Sequence, residues 1–330
     1  MKLLKMKQLE ISDYQKLNDS FHKRLVYHVG IDCGFFVELN NMINAILYCL
    51  LNGYRFQLYS EDANFGTGKG WTEYFQPFCE EVHEPFHHKY NLLHQSIWRR
   101  ILAHWLAFRT YGEYVRLSQD VAHEPDKFYH IPALGISCSY TEAYAMLARM
   151  IWQPQPEVQQ KMKDARHRLS LPEIYSGVQI WEGNNASGSR LISGWQIIQA
   201  LHPQDGECIF ALADNYQQLE IVRNEFQKLR IVSLCQPHET GYHHQAFEHL
   251  PAQEKKESII RLLISVDILL QCCAFVGTIT SGPSVFLLKV RADDPCVTAI
   301  DCPQDMLPDC LTLNIDERAA ISRRFVVRLT

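Results

Sequence analysis

The chain lacks the features that would place it in several large classes. No apolar core region follows its first residues, MKLLKMKQLEISDYQKL, so a secretory signal is not expected and a cytoplasmic location is. The most apolar stretch, residues 262–290, is broken by Asp267, Gln271, Gly277, Gly282 and Pro283. It reads as a buried helix, a strand and a second helix rather than a transmembrane segment. The 11 cysteines form an odd set with no C-x-x-C pair, which argues against a disulfide framework and a cysteine zinc site. Free thiols in a reducing compartment are expected instead. A net charge of -5 excludes the basic stripe of a general nucleic-acid binder. A small basic cluster, Lys2, Lys5 and Lys7, reads as a solvated terminus, with weak contact to an anionic membrane surface as the other reading. Several catalytic signatures are also missing. There is no G-x-S-x-G elbow, Walker A loop, G-x-G-x-x-G fingerprint or H-E-x-x-H pair, which disfavours α/β-hydrolases, P-loop NTPases, dinucleotide oxidoreductases and zincins. The histidines at 83, 87, 88, 94, 238, 243, 244 and 249 have no ligand spacing and read as packing or solvated side chains, so no metal is expected.

What is present is enough apolar material, 47% of 330 residues, to fill one large core or two moderate ones. The pattern alternates. A short apolar run at 25–29 predicts a strand. Leu39, Met42, Ile43, Ile46, Leu47 and Leu50 share one face of a helix that Gly53 stops. Residues 54–59 predict the next strand, completing a βαβ unit. Residues 97–114 read as helical and aromatic, 141–151 and 156–169 as helices. The rhythm then repeats: strands are expected at 174–180, 208–213, 230–234, 275–279 and 297–300, and helices at 192–201, 215–228, 252–270 and 283–290. The Pro154-Gln155-Pro156 stop lies near the expected boundary, giving units of 1–170 and 171–330. Two α/β units in succession imply a cleft between them that takes a ligand.

Three strand-to-helix turns carry the candidate chemistry. In Thr280-Ser281-Gly282-Pro283-Ser284, a glycine permits close backbone approach, Pro283 suits a first helical turn, and the hydroxyls and helix dipole suit a phosphate. An ordinary N-cap by Thr280 or Ser281 explains the same residues. Asp214 ends a strand at the side where open α/β sheets bind ligands; it accepts from a base or ribose, or else caps the next helix. Cys33-Gly34-Phe35-Phe36 forms a third such turn, for which a tight bend is the plainer account. Residues 237–247 read as a polar, aromatic loop over a site, with a lid as one reading.

Four ordered segments resemble the α1,6-fucosyltransferases. They are Cys33-Gly34-Phe35 through Phe75-Gln76-Pro77, including Gly68 to Glu73; Pro154-Gln155-Pro156 followed by Ser176 to Ile180; Ala211 to Asn215; and Val266-Asp267-Ile268 with Phe275 to Ser281. The resemblance spans roughly residues 25–300. It implies a GT-B-like fold of two facing Rossmann-like α/β domains, the second holding GDP-fucose, and an inverting transfer to a glycan acceptor with no metal or other cofactor. It also implies donor contacts from Gly34, Phe35, Gln179, Trp181, Asn184, Asp214, Asp267, Thr280, Ser281 and Gly282. The family's His-x-Arg motif is altered: Gln179 replaces the histidine, and Trp181 replaces the arginine that clamps the β-phosphate. An indole cannot balance charge on a leaving diphosphate, so Arg190 is the expected substitute, and Glu182 is the candidate base by position. The alternatives are a nucleotide-sugar-binding homologue without transfer and a transferase for another nucleoside-diphosphate sugar.

Overall fold

A computed structural model describes residues 9–30, 33–88, 96–99, 101–102, 105–106, 112–115, 128–181 and 192–329. The chain divides into two compact units, Met1–Gln155 and Pro156–Thr330. The helix read at 156–169 therefore belongs to the C-terminal unit, whereas the sequence pattern groups it with the N-terminal one. Its apolar residues Val158, Met162 and Ala165 are buried, and it packs on the long helix 252–270 of that unit.

The N-terminal unit has a three-stranded parallel sheet, ordered β2-β1-β3, from β1 (Lys23–His28), β2 (Tyr54–Tyr59) and β3 (Gly112–Val115). Strands β1 and β2 pair from Lys23↔Tyr54 to His28↔Tyr59. Helix α2 (Phe35–Asn52) connects them and ends at Gly53, whose φ of 69° is the left-handed conformation a glycine C-cap supplies. Helix α1 (Ile11–Ser20) guards the sheet edge: the Asn18 side chain donates to Phe56 O (3.0 Å) and accepts from Phe56 N (2.8 Å). This satisfies backbone groups that an edge strand would otherwise expose. A β4–β5 hairpin (Tyr129–Ile131, Ile136–Cys138) leads to α3 (Tyr140–Ile151), which begins in a Ser139/Glu142 capping box. Tyr140 and Tyr144 hydroxyls donate to buried Asn44 and Asn40 on α2 (2.8 and 2.5 Å). The α2–α3 contact thus buries its polar groups in pairs. Part of the expected 97–114 helix is instead strand β3, paired parallel to β1.

The C-terminal unit has a five-stranded parallel sheet, ordered β10-β9-β6-β7-β8. Its elements run α4 (Pro156–Arg168), β6 (Ser176–Ile180), α5 (Gly194–Ala200), β7 (Cys208–Ala213), α6 (Tyr216–Glu225), β8 (Arg230–Val232), α7 (His244–Glu248), α8 (Ala252–Leu270), β9 (Ala274–Gly277), α9 (Gly282–Val290), β10 (Val297–Ala299), α10 (Leu307–Cys310) and α11 (Ile315–Leu329). Val178, Ile180, Ile197, Ile198, Leu219 and Val222 form one core cluster. Leu263, Val266 and Leu269 of α8 are also fully buried. The continuous apolar run of β7 and the burial of every residue of β6 are what a sheet covered on both faces requires. The eleven cysteines are free thiols, five of them buried. Among the described residues, no helix is long and apolar enough to cross a membrane.

Candidate functional site

Strand order locates the candidate site in the C-terminal unit. From β6 the chain moves outward to β7 and β8, then returns to β9 and β10 on the other side. The direction of winding reverses at β6. In open parallel sheets, the carboxyl ends at such a reversal leave a crevice where ligands bind. Trp181 follows β6 at that end, Asp214 follows β7, and Thr280, Ser281 and Gly282 follow β9. The sheet therefore gathers these five residues at one edge. Glu182, Asn184 and Arg190 lie outside the described residues.

The turn after β9 is built tightly. A Cβ on Gly277 would stand 2.2 Å from Ser284 Oγ and 2.8 Å from the Phe275 ring, so only glycine fits there. Ser281 occupies the N-cap position of α9 but makes no side-chain cap. Its hydroxyl instead accepts from Gln179 Nε2 at 2.6 Å. Ser284 Oγ donates to Gln179 Oε1 and accepts from Thr278 N at 3.2 Å. Both ends of the Gln179 amide are thus engaged, tying β6 to the start of α9 inside the core. Gln179, Ser281 and Ser284 are all buried. The Ile279 N–H donates to Asp301 Oδ1 at 2.8 Å. Burial pushes the Asp301 carboxyl up to about 6, against the opposing effect of the Ile279 N–H and the Ser322 and Thr280 hydroxyls.

The turn after β7 differs. Asn215, not Asp214, caps α6: its side chain accepts from Gln217 N (2.9 Å) and Gln218 N (3.4 Å). Asp214 instead holds the loop expected to lie over the site. Its Oδ2 accepts from Tyr242 N at 2.9 Å, and its carbonyl accepts from Gly241 N at 2.9 Å. Glu239 O accepts from Tyr216 N at 2.9 Å, and its carboxylate meets Arg261 of α8 at 2.5 Å. The 237–247 segment is therefore strapped to the end of β7. Arg261 is a cation held beside this edge.

Asp267 is not brought to this edge. It lies in the last turn of α8, where its carboxylate accepts from Gln271 Nε2 at 2.8 Å. The next residue, Ile268, accepts at its carbonyl from Tyr175, which precedes β6 (2.8 Å). That places Asp267 at the amino end of the sheet, because α8 runs antiparallel to the strands. Gly34 and Phe35 are in the N-terminal unit. Gly34 precedes α2, and Phe35 is buried against the rings of Phe65 (4.9 Å) and Phe36 (5.3 Å), so its ring serves packing.

The N-terminal unit has its own cavity, about 360 Å³, with Glu61, Lys69, Thr72, Glu81 and His83 in its lining. Glu81 is fixed there: Ser60 Oγ donates to its Oε2 at 2.7 Å while accepting from Trp71 N at 2.8 Å. Burial raises the Glu81 carboxyl above the ordinary range, opposed by the Ser60 bond and by His83. The Gly68–Glu73 segment singled out in the sequence thus forms one wall of a polar pocket. Among the described residues, no group of three or more His, Cys, Asp or Glu side chains is arranged to hold a metal.

Sequence reasoning did not find Asp301, Arg261 or Glu81. Asp301 follows the final strand, and only the β9–β10 pairing puts it under the Ile279 amide. Arg261 looks like any solvated helix cation until the fold brings Glu239 to it. For Glu81, the parallel bridge Leu58↔Glu81 supplies the placement.

No protein-family model and no curated protein sequence matches the chain. Solved structures of similar fold include fucosyltransferase NodZ from Bradyrhizobium, 13% identical, covering 84% of this chain and 96% of that one, with a TM-score of 0.49. An Arabidopsis thaliana FUT1 mutant in complex with GDP is 11% identical, covering 84% of this chain and 72% of that one, TM-score 0.48. POFUT1 in complex with GDP is 9% identical, covering 84% of this chain and 98% of that one, TM-score 0.44.

Proposed function

We propose that the protein is a GT-B-type glycosyltransferase whose C-terminal unit binds a nucleoside-diphosphate sugar at the carboxyl edge of β6, β7 and β9. One observation carries this reading: at the winding reversal, the start of α9 has no side-chain cap because Ser281 is diverted to Gln179. The start of α9, with Pro283 in its first turn, turns the positive end of the helix dipole toward an anion. The diphosphate sits there, and Trp181 offers a ring face to the base or sugar. Asp214 and its strapped loop bound the other side. The charge of the leaving diphosphate is met by the α9 terminus together with Arg190 or, at this edge, Arg261. Fucose from GDP-fucose is the default donor, transferred with inversion and without a metal. The polar cavity of the N-terminal unit, with Glu81 as its fixed carboxyl, suits a polyhydroxylated glycan acceptor. The location proposed is cytoplasmic.

GDP and GDP-fucose, followed by UDP, are the ligands to test by thermal shift, since a bound ligand raises apparent stability by mass action. Pro283→Glu is the discriminating variant. A carboxylate in the first turn of α9 suits the helix dipole but repels a diphosphate. The variant should keep its melting temperature and lose the GDP shift, a change of roughly tenfold or more in affinity. An unchanged GDP shift in Pro283→Glu refutes the assignment of the diphosphate to this turn. A second reading, binding without transfer, is favoured by Trp181 at the arginine position and by a Gln179 amide fully engaged within the protein. Release of fucose from GDP-fucose in the presence of glycan acceptors separates the two.

A further inference from the structure

Two thiols outside the candidate site meet in the C-terminal unit. Cys302 follows β10, and Cys310 ends α10. Between them the chain turns back on itself: Met306 N donates to Pro303 O at 3.0 Å, and the short helix Leu307–Cys310 continues from that turn. The Cys310 sulfur is thereby brought to 2.8 Å from the Cys302 sulfur, with the Cys302 S–H as donor. Both residues are buried, at 0% and 3% exposure. The segment that joins them is nevertheless at the surface, since residues 304–306, 308 and 309 are exposed. Burial alone does not produce such a pair. Cys272 is equally buried, yet its thiol faces the carbonyls of Leu269 (3.1 Å) and Ala274 (3.0 Å), and its sulfur accepts from Arg291.

A disulfide bond is about 2.05 Å long, so the two sulfurs bond after an approach of less than about 1 Å. Burial raises both thiols above the ordinary range. At Cys302 the Cys310 sulfur adds to that rise; at Cys310 the Cys302 S–H and the Arg318 guanidinium oppose it. Cys310 is therefore the sulfur that ionises first and attacks an oxidant, and Cys302 is the one that resolves the product. A dry site excludes bulky disulfides, which leaves a small peroxide as the co-reactant. We propose that Cys302 and Cys310 are a modification site that closes to an intramolecular disulfide when hydrogen peroxide oxidises the native protein. The Cys310 thiolate attacks one peroxide oxygen, the O–O bond breaks, and the departing hydroxide takes up the thiol proton as water, leaving a sulfenic acid. The Cys302 sulfur then attacks the sulfenic sulfur. The S–S bond forms, the S–O bond breaks, and the hydroxide leaves with the Cys302 proton as a second water. The two thiols lose two electrons in all, and one peroxide gains them. A second sulfur held at 2.8 Å captures the sulfenic acid ahead of its further oxidation. In a reducing compartment the pair rests as two thiols. This inference is independent of the nucleotide-sugar reading.

The test treats the full native chain with hydrogen peroxide, alkylates the remaining thiols and cleaves before aspartate. Cleavage before Asp301, Asp305, Asp309 and Asp316 puts the two cysteines on separate peptides, 301–304 and 309–315. These should appear joined, about 2 Da below the sum of the free peptides, and a dithiol reductant should part them. The closed loop should raise the melting temperature by several degrees over that of the reduced protein. Cys302→Ser should abolish both the joined peptide and that rise, while the exposed Cys273 and Cys296 still react. Peptide mapping of the wild-type chain carries the test even if that variant misfolds. Cys302 and Cys310 alkylated separately at a peroxide dose that consumes Cys273 and Cys296, either sulfur paired with another cysteine, or either carried on to sulfonic acid would each overturn the proposal. So would a joined peptide that forms only after the chain is unfolded in urea.

Discussion

Two strand-to-helix junctions flank β6, and they are finished in opposite ways. After β7, Asn215 caps α6 with its own side chain while Asp214 binds the 241–242 backbone. The protein satisfies that junction by itself. After β9, the serine at the cap position is drawn into the core by Gln179, and α9 starts without a side-chain cap. A junction with a side-chain cap beside one without it is the contrast on which the proposed diphosphate site rests. The Gln179 amide is the pivot: it fixes the hydroxyls of Ser281 and Ser284.

The largest effect that would break this contrast is expected from Gly277→Ala. The added methyl group meets Ser284 Oγ and the Phe275 ring, and overpacking of that kind costs about 3 kcal/mol. The urea midpoint should fall accordingly, and the GDP shift should vanish with the displaced α9 start. Gly277→Ala with wild-type stability would show that the turn is not closely packed.

Next in size is the pH response of the junction after β9. Asp301 titrates at about 6 in the folded protein, raised chiefly by burial from an ordinary value of 3.8. Below about pH 4 both folded and unfolded forms hold the proton, and the contribution to stability is complete. Between about 4 and 6 the unfolded chain ionises first, so stability falls as pH rises and then levels off. The loss is about 2–3 kcal/mol. Asp301→Asn should flatten the urea midpoint across that window while keeping an acceptor for the Ile279 N–H. A slope that persists in Asp301→Asn would assign the response to another group.

The smallest effect sharpens the contrast from the capped side. Asn215→Ala removes a real cap and should cost about 1 kcal/mol, with the affinity for GDP unchanged. A loss of GDP binding in that variant, measured by calorimetry, would mean that the two junctions are not separable.

Much of the fold could be read from the sequence. Strand β7 and helix α8 have the expected bounds, and β2 does too, because each combines a clear apolar period with Gly, Pro or Asn punctuation. Strand β3 could not be read. Its four residues continue a helical, aromatic pattern, and only pairing with β1 makes them a strand. The sequence reading has no element at the β4–β5 hairpin or at α11, although Asn314 and Glu317 form a capping box at the α11 start. At the candidate site, the sequence pointed to the turn at 280–284 and to Asp214. It offered Asp214 a capping role that belongs to its neighbour Asn215, and it placed Asp267 with the ligand set although α8 carries it to the other end of the sheet.

The sequence by itself determined the alternation of strands and helices, the glycine at 277 and the polar turn after it, since these follow from local period, sterics and hydrogen-bonding type. Only the tertiary structure decided that β6 is the winding reversal, that Gln179 draws Ser281 and Ser284 inward, and that Asp301 and Arg261 stand beside the edge. Those relations join residues far apart in the chain, between which no local preference acts; they exist once strand order and burial have fixed which groups meet.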